Sequence, residues 1–162
     1  CGILHIETFP YKLTWVQKWH AAMHLAKEAG YRWCGYVHDD GYLGLRDCES
    51  LVKTAQESPA DVFAVYTHQE GEDCRDVYAL FSVEAYYLAG RHDENFDFYW
   101  ADIDLFNRQV TLGLRPVTIP VTTLWHYTSR LHKHAVGHER IARDLIFTKD
   151  KTYFTLKHEV VL

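Results

Sequence analysis

The chain has no apolar run approaching the roughly 20 residues that a membrane-spanning helix needs, and nothing at its start resembles a signal peptide. A soluble protein, cytoplasmic by default, is the expectation. It also lacks an excess of basic charge: 17 Lys and Arg against 22 Asp and Glu give a formal net charge of -5. Affinity for polyphosphate rests largely on basic residues, so neither nucleic acid nor an acidic membrane is a general electrostatic partner. The stretch 130–157 is richer in Lys, Arg and His, but Glu139, Asp144 and Asp150 interrupt it, which favours a solvated face over a phosphate contact. The cysteines, Cys1, Cys34, Cys48 and Cys74, show no CxxC spacing, so reduced thiols are expected before a disulfide framework or a zinc knuckle. There is no low-complexity segment, internal repeat or linker. Residue 1 is Cys and not Met, which reads as a processed or trimmed chain.

What is present is core-forming. The 162 residues are 48% hydrophobic and 15% aromatic, enough for one domain over 1–162 with a well-stocked interior. Thr14 and Gln17 form a capping-box pattern that opens a helix, and Gly30 stands where a left-handed residue would close it. Within it Trp15, Trp19, Ala22 and Ala26 recur at helical spacing, while His20, His24 and Lys27 make the other, solvated face. Residues 2–7, 31–37, 61–67 and 76–82 read as strands, and 47–56, 83–88 and 102–112 as helices, the last stopped by Gly113. Residues 116–119 and 121–125 are extended on either side of Pro120. A last helix is expected over 135–147, with 153–156 as a terminal extended piece. Helix and strand interleave, which predicts an α/β sheet.

Two acidic stretches carry candidate chemistry. Asp39 and Asp40 follow an apolar strand, at the sheet end where α/β proteins bind ligands. Adjacent carboxylates repel unless a positive group lies beside them, and a hard divalent cation is one solution. Asp-Asp-Gly is also good turn chemistry, and the dipeptide alone favours the turn. Further on, Asp102 and Asp104 cannot share a helix face, whereas Asp104 and Arg108 can pair on the helix surface. Asp102 is left as the candidate for work, or as a carboxylate favoured by the helix dipole. His132, His134 and His138 lack a convincing fourth zinc ligand and read as surface or phosphate-contact histidines. Trp100, Trp125, Tyr99 and Tyr127 flank these stretches, either to stack on a sugar or base or to fill core.

Four signatures in order, residues 36–43, residues 90–96, Asp102 and Asp104 with Arg108 and Gly113, and His126 with Ser129, resemble the family 2 glycosyltransferases of the GT-A fold. The resemblance runs from about Thr14 to Ser129, with a weaker echo at 153–157. It implies a GT-A-like mixed sheet flanked by helices, entered at its third strand without the two leading βα units. It implies a metal-dependent, inverting hexosyltransferase using a nucleotide-sugar donor. Asp40, with Asp39 and His126, would hold Mn²⁺ or Mg²⁺; His38, Asp39 and Arg108 would meet the donor; Asp102 would be the general base; Asp93, Glu94 and Trp100 would lie on the acceptor side. The acceptor is open among a glycan, a lipid carrier, a protein and a modified nucleobase, and the missing half leaves three alternatives: a compact variant, a trimmed chain, or a second chain or homo-oligomer that supplies it. Two positions depart from the family pattern: Ala101 stands where Glu is usual, and His38 where many members have Asp. The alternatives are a catalytically silent binding or assembly subunit and a nucleotidyltransferase on a related sheet.

Overall fold

A computed structural model describes residues 13–37, 41–69, 78–126 and 138–158. Helix α1, Trp15–Glu28, begins at Thr14, whose hydroxyl accepts from the Gln17 N–H at 3.2 Å while Gln17 Oε1 accepts from the Thr14 N–H at 3.0 Å. It ends in a Schellman closure, with Gly30 at φ +73 and the Tyr31 N–H on the Ala26 carbonyl. Its buried stripe is Val16, Trp19, Met23 and Ala26, with Trp15 and Ala22 at the margins. His20 is not on a solvated face, because its ring packs on Tyr86; His24 is exposed as expected.

Strand β1, Trp33–Val37, leads to the short β2, Gly41–Leu43, and then α2, Leu45–Glu57. Strands β3, Val62–His68, and β4, Tyr78–Ser82, precede helix α3, Val83–Leu88. Helix α4, Ala101–Thr111, is followed by β5, Arg115–Pro120, β6, Leu124–His126, and helix α5, His138–His158. The main sheet has the order β1-β4-β3-β5, with β4 antiparallel to both neighbours and β3 parallel to β5. The protein is therefore α/β, with a mixed four-stranded sheet flanked by helices. Strands β2 and β6 form a separate antiparallel ribbon.

Strand alternation builds two cores. Trp33, Tyr78 and Leu80 pack with Leu51, Ala55, Val65 and Leu124 beneath α2. Cys34 and Phe81 point the other way, onto Trp19, Met23, Tyr86 and Leu105 of α1, α3 and α4. Burial pushes the Cys34 thiol up to about 11, and both Cys34 and Cys48 are free. The strand expected at 2–7 lies outside the described residues, as do Cys1 and Cys74.

The expectations for the C-terminal part are corrected: the last helix does not stop at Phe147 but runs to His158. Residues 153–156 are not extended but belong to the helical turns of α5. Two threonines of the helix bond back to its own carbonyls: Thr148 Oγ1 donates to the Asp144 carbonyl and Thr152 Oγ1 to the Thr148 carbonyl, each at 2.8 Å. Asp150 and Phe154, four apart, are both buried and set the helical register.

Candidate functional site

The acidic pair itself, Asp39 and Asp40, lies with His38 outside the described residues, but both ends of that segment are held. Val37, the last residue of β1, pairs with Tyr78. The Tyr78 hydroxyl donates to the Gly41 carbonyl at 2.6 Å, so one residue grips the chain before and after the segment. Gly41 in turn pairs with His126 across the β2–β6 ribbon. That ribbon is pinned from α2: Asp47, buried, accepts from the Thr122 N–H at 3.1 Å and the Thr123 N–H at 2.9 Å, and the Gly44 N–H reaches the Thr123 carbonyl. Gly44 also faces Thr123 so closely that an added Cβ would meet the Thr123 Cβ at 3.0 Å.

Helix α4 separates its two aspartates by about 200° around its axis. Asp102 is exposed in the first turn. Asp104 is fully buried, and its pairing with Arg108 is internal, not the surface pair expected. Arg108 donates to Asp104 Oδ2 from Nε at 3.0 Å and Nη2 at 2.7 Å, and to the Ala89 and Arg91 carbonyls. From α5, Lys157 Nζ reaches Asp104 Oδ1 at 2.9 Å and Asp93 Oδ2 at 2.6 Å, and His158 Nε2 lies 2.9 Å from Asp104 Oδ1. Burial alone would raise the Asp104 carboxyl. Hydrogen bonds from Lys157, Arg108 and His158 outweigh it and hold the carboxyl below its ordinary value. Asp93 is held down in the same way, against burial, by Lys157, the Asn95 N–H and the Tyr153 hydroxyl. Lys157 is raised, since its two carboxylates outweigh its desolvation.

Around this node a pocket of about 300 Å³ is lined by residues 90–94, Arg108 and Lys157. Glu94 stands at its rim, 3.2 Å from His20 Nδ1 and 3.9 Å from Arg91. His92 is buried against Trp15, Trp19 and Tyr86, and desolvation, reinforced by His20 and Arg108, holds its ring down to about 3, so it is neutral.

Trp100 is the left-handed N-cap of α4 at φ +66, and its ring packs on Phe147 and Phe154 of α5. Its indole N–H is buried without an acceptor among the described residues. Tyr99 likewise packs on Phe147, so both aromatics serve the core. The loop before them is held by Asp150, whose carboxylate accepts from the Asp97, Phe98 and Tyr99 N–H groups at 3.2, 2.9 and 2.9 Å.

The structure thus brings Asp93, Glu94 and Arg108 to one pocket and turns Asp102 away from it. Trp125 and His126 lie in β6, and Tyr127, His132 and His134 lie outside the described residues. Tyr78, Asp47, Asp150, Lys157 and His158 were not anticipated as site residues. The echo at 153–157 and the helix expected over 135–147 point toward α5 without singling out these side chains; single acids and tyrosines inside regular elements carry no spacing signal.

Among the described residues no group of three His, Cys, Asp or Glu is arranged to hold a metal ion, and no helix is long and apolar enough to cross a membrane. No family model, no curated protein and no solved structure matches the chain.

Proposed function

We propose that the chain is a metal-dependent, inverting glycosyltransferase with a GT-A-like fold, transferring a sugar from a nucleoside-diphosphate donor to an acceptor hydroxyl. The observation that supports this most is the register of β2 on β6. Gly41, one peptide bond after Asp40, pairs with His126, so two widely separated signatures of the sequence meet on one ribbon. Asp39, Asp40 and His126 make a mixed oxygen and nitrogen donor set that suits Mn²⁺ better than Mg²⁺. A cation held there would stabilise negative charge on the departing diphosphate. Asp102, exposed at the start of α4, would take the proton of the acceptor hydroxyl. Among the described residues strand β1 is outermost in the sheet, which suits pairing with further strands from another chain or a second copy. We place the activity in the cytoplasm.

A second reading, a catalytically silent binding or assembly subunit, is favoured by two observations. Arg108, expected on the donor, has its guanidinium on Asp104 and two carbonyls. Ala101, where the resembled family carries Glu, is fully buried and offers no carboxylate. Donor hydrolysis with Mn²⁺ across a panel of nucleotide sugars separates the two. Release of nucleoside diphosphate supports the enzyme; release of pyrophosphate indicates a nucleotidyltransferase. No turnover together with no Mn²⁺-dependent thermal shift for any nucleoside diphosphate sinks the catalytic reading.

A further inference from the structure

We infer that the pocket lined by residues 90–94, Arg108 and Lys157 is a binding subsite for an uncharged saccharide unit, distinct from the place where Asp102 would act. The pocket is small but falls within the range of ligand clefts. Its charges are paired: Arg91, Arg108 and Lys157 stand against Asp93, Glu94 and Asp104, which lies directly behind, with His20 on Glu94 and His158 on Asp104. Each of these carboxylates already faces a cation, so neither sign of charge lines the pocket unopposed. A carboxylate or phosphate entering here would meet Asp93 and Glu94, and an ammonium would meet Arg91 and Lys157.

Hydrogen-bonding capacity remains open on both sides of this balance. Lys157 has three N–H donors and engages two carboxylates. Arg108 has five N–H donors and makes four bonds. Arg91 contacts Glu94 only at 3.9 Å and is 48% exposed, and Glu94 presents its second oxygen, since both of its ion pairs use Oε1. Neighbouring hydroxyls, each able to donate and accept, satisfy a carboxylate and a guanidinium together, and sugars carry such hydroxyls in fixed geometry.

The rim is held in place. Arg91 has φ +65 and follows Gly90 at φ +81; its N–H is on the Tyr86 carbonyl and its carbonyl accepts from Arg108. A non-glycine residue kept in the left-handed region is a local strain of the kind found at binding sites. Asp104 and Arg108 lie on a different face of α4 from Asp102, which does not line this pocket, so a sugar held here is not bound by the proposed base. That it belongs to the acceptor rests on the glycosyltransferase reading; that the pocket binds a sugar does not.

The test is an NMR titration of the whole chain with methyl glycosides of glucose, galactose, mannose and N-acetylglucosamine, beside inorganic phosphate and acetate. The expected result is saturable shifts of the Gly90, Arg91 and Glu94 amides with at least one glycoside at millimolar Kd. Glu94→Gln and Arg91→Ala, each checked for an unchanged circular dichroism spectrum, should weaken that binding about 10-fold. No glycoside response up to about 100 mM, or a response to phosphate or acetate alone, overturns the inference. Glycoside binding without Mn²⁺-dependent donor turnover would sink the enzyme and keep the subsite. Turnover without glycoside binding would do the reverse.

Discussion

Tyr78 holds Gly41 by its hydroxyl, 2.6 Å from the Gly41 carbonyl, while its own backbone pairs with Val37. Two positions flanking the Asp39–Asp40 segment are thereby tied to one residue of β4. Tyr78→Phe removes the tie and little else. We expect a loss of about 1 kcal/mol in urea unfolding, the usual net value of such a hydrogen bond. A smaller Mn²⁺-dependent thermal shift with nucleoside diphosphate should accompany it. An unchanged metal response would detach Tyr78 from the proposed site.

Asp102 is exposed and lies about 200° from the buried Asp104, so the two aspartates have separable roles. Asp102→Asn should leave donor binding intact and lower transfer by roughly 10² to 10⁴-fold. Calorimetric donor titration and initial rates on the same preparation check this. If donor affinity falls in step with rate, Asp102 is not the base.

Asp150 draws together three consecutive N–H groups of the loop that leads into Trp100 and α4. Asp150→Ala leaves these part-buried N–H groups without that acceptor, at a cost on the order of 1 to 3 kcal/mol. Asp150→Asn, which keeps one acceptor oxygen, should cost distinctly less. Amide exchange at Phe98 and Tyr99 should quicken in the alanine variant, and equal exchange in both proteins would refute the clamp.

The node of Asp93, Asp104 and Lys157 makes stability depend on pH at both extremes. Both carboxyls have folded values below the ordinary 3.8, so their stabilisation is present above about pH 4 and disappears as pH falls through the depressed values. Lys157, raised above its ordinary 10.5, contributes below that value and loses its contribution as pH climbs through the folded value. Lys157→Met should therefore flatten the acid limb of the stability profile, and Lys157→Arg should restore part of its slope. Parallel acid limbs for wild type and Lys157→Met would contradict the assignment.

Much of the element order was legible because its signals are local. Thr14 and Gln17 mark the start of α1, and Gly30, Gly90 and Gly113 each take the left-handed conformation that follows a helix. Residues 153–156 misled because Tyr153, Phe154 and Thr155 are aromatic or β-branched, a preference that tertiary burial of Asp150 and Phe154 overrides. His20 misled because a helix face is solvated only if nothing covers it, and Tyr86 and the carbonyl of His92 do.

By itself the sequence determined an α/β protein with most of its described strands and helices from α1 to β6 in order, and an Asp104–Arg108 pair at one helical turn. Those follow from periodicity and short-range spacing, which act within a few residues. Only the tertiary structure decided that Asp104 is buried and shared with Lys157 and His158, 53 and 54 positions on, and that Gly41 pairs with His126. Such contacts depend on which elements the hydrophobic cores press together. No spacing rule along the chain encodes that choice.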